Sequence, residues 1–164
     1  MRCVGRMNLA KRRMMQTSLV ISEFSGKYHF LSNFSQAEVW LDGESYPSTE
    51  HAYQAAKTLD PQWREKIRSA DTPNLAKRLG RKAPVRENWD EIKLDIMYEL
   101  VRQKFCQHSA LSRKLMDTEG IELIEGNWWG DKFWGVCGGE GENNLGKILM
   151  RVREELILRV TQVA

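Results

Sequence analysis

Only three cysteines occur in 164 residues, Cys3, Cys106 and Cys137, and they lie too far apart for a metal-ligand spacing. An odd, scattered set reads as reduced thiols of a cytoplasmic protein rather than as a disulfide framework. No run of about 18 apolar residues exists, which argues against a membrane partner reached through a transmembrane helix. The amino-terminal stretch also lacks the continuous apolar segment of a secretory signal. The one glycine-rich stretch, Gly138 to Asn144, is followed by no Gly-Lys-Ser/Thr and has no dinucleotide-binding spacing. The expectation is therefore a chain without metal or organic cofactor.

Charge of one sign is also missing, once the chain is divided. Residues 1–19 carry five basic residues and no acid, whereas the remainder has 20 basic and 22 acidic residues, a net of −2. The basic balance belongs to a tail, which reads as poorly ordered, and residues 20–164 form one near-neutral domain. At this length one core can form without staples.

The stretch around which the rest is organised is Ser48-Thr49-Glu50-His51-Ala52-Tyr53-Gln54-Ala55-Ala56-Lys57. Ser48 suits an N-cap, and Glu50, Gln54 and Lys57 at i, i+4 and i+7 put an acid, an amide and an amine on one helix face. Glu50 lies in the first turn, where unpaired N–H groups favour an ionised carboxylate. A solvated charged face would have the same spacing.

Upstream, Leu19-Val20-Ile21 reads as a strand and Gly26 to His29 as a turn into an aromatic loop, Phe30 to Phe34. Asp42-Gly43 between Val39-Trp40-Leu41 and Glu44-Ser45-Tyr46 signals a hairpin with a type I′ turn. Asp60-Pro61 and Thr72-Pro73 open two short helices, ending near Ser69 and Gly80. Arg78, Arg81, Lys82 and Arg86 cluster after them, as surface charge or as a phosphate site.

Asn88, with Glu91 as a capping-box partner, opens the longest helix, whose buried side is Ile92, Ile96, Leu100, Met97, Val101 and Phe105. Ser109 caps another helix to about Met116, Ile121–Ile124 is a short strand, and a last helix runs from Leu145 to about Arg159. Trp128, Trp129, Phe133, Trp134 and Asp131, beside the glycine-rich loop, suggest the wall of a pocket for a flat, polar, phosphate-bearing molecule. The fold class expected is α+β, a mostly helical single domain. Its small sheet would be built from the hairpin and the 121–134 region.

Several blocks together resemble the NADAR family. They are Ser32-Asn33-Phe34, Ser48-Thr49-Glu50-His51 through Gln54 and Lys57, Arg86-Glu87-Asn88-Trp89, Asp131-Lys132-Phe133-Trp134-Gly135, and Gly141 through Arg153. The likeness extends from about Ile21 to Leu158. One departure follows Trp134-Gly135, where Val136-Cys137-Gly138-Gly139 stands in place of a directly following Asp-Gly-Gly.

The resemblance implies an N-glycosidase. One branch cleaves the bond between ribose phosphate and an aminopyrimidine in early riboflavin-pathway intermediates. Another removes ADP-ribose from guanine in DNA or RNA. The family's functional residues map onto Glu50, Trp89 and Asp131.

Breaking an N-glycosidic bond builds oxocarbenium-like charge on the sugar, which a carboxylate near C1 stabilises. Glu50 is then the charge stabiliser or water-activating base and Asp131 the second acid or ribose binder, with the roles exchangeable. Lys57 either captures the sugar as a Schiff base or neutralises Glu50. Trp89 and Trp134 would stack on the base, Asn33, Phe34, Gln54 and Asn144 would line the pocket, and Arg78 is a candidate phosphate ligand.

The expected partner is a small phosphorylated nucleoside-like substrate. ADP-ribosylated nucleic acid is the alternative, which a loose cationic tail would favour. A non-catalytic ADP-ribose-binding module would require neither acid. The pocket is expected between the Glu50 helix, the start of the Trp89 helix and the loop before the last helix.

Overall fold

In the computed structural model, which describes residues 19–163, local caps start the short helices where the sequence places them. The Ser48 hydroxyl accepts from the His51 N–H (3.3 Å) at the head of α1 (Thr49–Ala56). Asp60 does the same for Gln62 (2.8 Å) before α2 (Pro61–Arg68), and Thr72 for Leu75 (3.2 Å) before α3 (Pro73–Gly80). Pro61 and Pro73 occupy first-turn positions that need no N–H donor. The basic tail, apart from Leu19, lies outside the described residues.

The long helices α4 (Trp89–Gln107) and α6 (Asn144–Val163) pack against each other, with α5 (Ser109–Met116) beside both. Met97, Leu100, Val101 and Phe105 of α4 meet Leu149, Val152 and Leu156 of α6 in one continuous hydrophobic cluster. Ile92 and Ile96 flank that cluster half-buried, and α6 runs four residues further than the sequence suggests. No described helix is long and apolar enough to cross a membrane.

The strands depart from expectation. Instead of one small sheet there are three separate strand pairs. β1 (Val20–Ile21) runs parallel to β4 (Glu122–Leu123), and β5 (Gly126–Asn127) parallel to β6 (Val136–Cys137). The hairpin β2 (Val39–Leu41) and β3 (Glu44–Tyr46) pairs only with itself. The turn residues Asp42 (φ 51°) and Gly43 (φ 85°) both adopt the left-handed region that a type I′ turn requires. The hairpin packs against α1 and α4, so its edges meet helices rather than the 121–134 segment.

Three smaller expectations also change. Gly26–Leu31 is a 3-10 helix rather than a turn. Asn88 makes no side-chain cap to α4; its Oδ1 accepts instead from Arg86 Nε (2.9 Å). Ser109 is the first residue of α5, not its cap, and the preceding His108 bonds through Nε2 to the Glu38 carbonyl (2.9 Å).

The architecture surrounds α1. Every residue from Thr49 to Ala56 is buried, although the segment holds Glu50, His51 and Gln54. α2 and α3 cover one side of it, α4 another, and the hairpin a third. A buried polar helix needs internal partners. His51 Nε2 pairs with the Ala70 carbonyl (3.0 Å) and Nδ1 with the Ser48 hydroxyl (2.7 Å), and burial holds its pKa low. His51 is therefore a satisfied core residue. Glu50 and Gln54 are the polar side chains of α1 that line a cavity, together with the Tyr53 ring.

Candidate active site

A cavity of about 310 Å³ opens along the Glu50 face of α1. Glu50, Gln54 and Lys57 contribute from α1, and Asn33 and Phe34 from the loop after the 3-10 helix. Lys77 and Arg81 reach in from α3. The opposite wall is the segment that bears Glu125, Trp129, Asp131 and Trp134. Glu50 and Asp131, 81 positions apart in the chain, thus line the same space.

Glu50 is only 6% exposed. Its Oε1 accepts from Gln54 Nε2 at 2.7 Å, the i, i+4 contact of the helix spacing. Its N–H donates to the Asn33 carbonyl (3.0 Å), which ties the loop to the helix. Burial pushes the Glu50 carboxyl up, while the Gln54 hydrogen bond and the Lys77, Lys57 and Arg81 charges pull it back. The first-turn position was expected to favour the ionised form; removal from water outweighs that effect.

Lys57 stands at the C-terminal end of α1, with Nζ 5.3 Å from the centre of the Tyr53 ring. Burial lowers its pKa, Glu50 opposes the shift, and repulsion from Lys77 and Arg81 adds to it. An amine so placed holds a larger neutral fraction than a solvated lysine.

Asp131 is fixed by its own turn. Its Oδ1 accepts from the N–H groups of Phe133 (3.1 Å) and Trp134 (2.8 Å), and Asn127 brackets its backbone with two further bonds. One carboxylate oxygen is thereby occupied.

Glu125, which the motifs did not single out, is the third acid of the cavity. Its Oε2 is buried without a hydrogen-bond partner. Burial, with Asp131 and Glu50 nearby, raises its pKa to about 7. Glu125 and Trp129 also line an adjoining groove with Ser22, Phe24 and Trp128. Glu125 gives no signal in the sequence because it is a lone acid beside a two-residue strand.

The structure does not bring every expected residue to the cavity. Trp89 is buried behind the wall, its ring 5.1 Å from that of Tyr53, so it supports Tyr53 rather than facing the space. Trp134 packs edge-on to Tyr53 from the other side (5.4 Å) and does line the cavity.

Asn144 lies outside, its Nδ2 donating to the Phe133 carbonyl (2.9 Å) and to Glu142 (3.0 Å); it braces the loop. Arg78 is exposed on α3 and absent from the lining, where its neighbours Lys77 and Arg81 stand instead. The i, i+4 spacing of that pair was legible, yet nothing local says which face of α3 turns inward.

Residues 18–157 match the NADAR domain. The chain is 38% identical over 148 residues to N-glycosidase YbiA of Escherichia coli strain K12, covering 88% of this chain and 92% of the relative. It is 38% identical over 149 residues to a riboflavin biosynthesis protein of Vibrio vulnificus, covering 89% of this chain but 40% of that longer protein. The NMR structure of E. coli YbiA superposes with a TM-score of 0.76 at 35% identity, over 89% of this chain and 92% of the other.

Proposed function

The chain belongs to the NADAR domain family, and from that premise we propose that it is an N-glycosidase. It hydrolyses the bond between ribose phosphate and an aminopyrimidine of riboflavin-pathway type. The observation that carries this reading is the buried Glu50, bonded to Gln54 and sharing one cavity with Asp131, Glu125 and Lys57.

The polar neighbours divide the acids by role. Those of Glu50, an N–H donor and three cations, all stabilise its anion. Two of the groups around Glu125 are carboxylates that favour its protonated form. Burial raises both carboxyls, and on the contrast between their polar neighbours we assign Glu50 as the base and Glu125 as the acid. Asp131, with one oxygen held by backbone N–H groups, offers the other to a ribose hydroxyl.

The attacking group at C1 is Lys57, and its burial-lowered pKa favours that role. The ribosylamine opens as its C1–O4 bond breaks, its N–H proton passes to O4 and nitrogen forms a C1=N imine. The Lys57 amine adds to C1, and the aminopyrimidine leaves with a proton from Glu125. Water then adds to the resulting Lys57–C1 imine and loses a proton to Glu50. The C1–N bond of that carbinolamine breaks as its hydroxyl proton passes to the lysine nitrogen. This frees the sugar phosphate and the Lys57 amine, and the Glu50 proton returns through solvent to Glu125. The net reaction consumes one water and no cofactor.

The test compares wild type with Glu50→Gln on a ribosylaminopyrimidine phosphate and on an ADP-ribosylated guanine oligonucleotide. The expected result is base release from the small molecule, reduced roughly 100-fold or more in the variant. Release of ADP-ribose from the oligonucleotide alone would move the substrate to nucleic acid. Binding of ADP-ribose without turnover of either would make the protein a binding module.

A further inference from the structure

We propose that Lys77 and Arg81 form the binding site for the 5′-phosphoryl group of the sugar substrate, at the α3 side of the cavity. The proposal rests on the N-glycosidase reading and names the group that anchors the substrate.

The first observation is that neither cation is paired with an acid. Among the described residues, Arg64, Arg68, Lys93, Arg102, Lys132 and Arg151 form ion pairs, and all of those pairs lie outside the cavity. Lys77 and Arg81 form none, although three carboxylates line the same cavity. What holds Lys77 is aromatic instead, since Nζ stands 5.7 Å from the Phe34 ring centre and 5.8 Å from that of Trp129. Ring faces attract an ammonium without neutralising it. The charge therefore remains available to a ligand.

The second observation is rigidity. Lys77 and Arg81 are four residues apart on one face of α3, whose first turn is capped by Thr72. Between them Gly80 lies against Gln54, so closely that a β-carbon there would overlap the Gln54 side chain. Gln54 in turn holds Glu50. The cationic face and the carboxyl at C1 are thus linked through one packed contact.

The third observation is polarity. The two charges act on Glu50 and on Lys57, and Lys77 acts also on Glu125. Lys77 and Arg81 enter the cavity from α3 and its C-terminal cap, whereas Glu125 and Asp131 come from the segment after β4, so a phosphate dianion is drawn to the α3 pair. A guanidinium fork and an ammonium suit a phosphoryl group. With the phosphate there, C1 lies toward Glu50 and Lys57 of α1.

Calorimetry on the full chain with ribose, ribose 5-phosphate and ADP-ribose tests this without turnover. Hydrogen bonds to charged groups imply a preference for ribose 5-phosphate over ribose of roughly ten- to a hundredfold. In Lys77→Gln/Arg81→Gln that ratio is expected to approach one. Arg81→Gln alone, at an exposed position, should give a partial loss and guards against misfolding of the double variant.

A parallel fall in ADP-ribose affinity would support the same site for a diphosphate. Retention of the ribose 5-phosphate preference in the double variant would overturn the proposal, as would no preference in wild type. An inactive protein that keeps the preference would sink the glycosidase reading and leave the phosphate site standing. An active one without it would do the reverse.

Discussion

Lys104 of α4 is 1% exposed and faces no carboxylate. Its Nζ donates to the Ser32 carbonyl (2.8 Å) and the Ser35 hydroxyl (2.6 Å), beneath the loop whose Asn33 carbonyl accepts from Glu50 N–H. Burial alone lowers its pKa from 10.5 to about 7. At about 1.4 kcal/mol per pH unit, keeping the amine charged in the fold costs on the order of 5 kcal/mol.

The sign follows from proton counts. Between pH 7 and 10.5 the unfolded chain binds more protons at this lysine, so stability rises with pH across that interval. The penalty is full below about 7 and gone above about 10.5. Lys104→Met removes the titration and leaves a constant offset. Urea denaturation of both proteins at pH 7.5, 8.5 and 9.5 measures it. Wild type should gain roughly 2–3 kcal/mol relative to Lys104→Met over that span. Parallel stability curves would refute the reasoning, because they would mean Lys104 finds water or an anion in the fold.

Other perturbations probe the cavity. Gly80→Ala, which at an ordinary helix position gains up to about 1 kcal/mol, should here lower both Tm and kcat/KM, since the methyl displaces Gln54 from Glu50. Glu125 is protonated below about pH 7, so kcat should fall above that pH in wild type; Glu125→Gln should be slower and lack that alkaline limb. Borohydride added during turnover should leave a reduced sugar adduct on Lys57, detected by mass spectrometry. An unmodified Lys57 would assign it a purely electrostatic role.

Features legible in the chain were those set within a few residues. Ser48, Asp60-Pro61 and Thr72-Pro73 announced helix starts because a cap needs only a side-chain oxygen and the next turn's N–H groups. Asp42-Gly43 announced the hairpin because its two left-handed residues suit that turn alone. The i, i+4 contact of Glu50 with Gln54 was also local. Asn88 marked the start of α4 but not its cap bond, because its side chain had a competing donor in Arg86, and a motif cannot say which partner wins.

The sequence by itself therefore determined the helices, the hairpin turn and the residue types available for glycosidic chemistry. Tertiary structure decided which of them meet. It buried a polar α1 beside a cavity, raising Glu50 and lowering Lys57 through loss of water. It turned Lys77 and Arg81 inward rather than Arg78, drew Trp89 back behind Tyr53, and brought Glu125 beside Asp131. Desolvation and charge proximity depend on segments distant in the chain, and they are what convert ordinary carboxyls and amines into reactive ones.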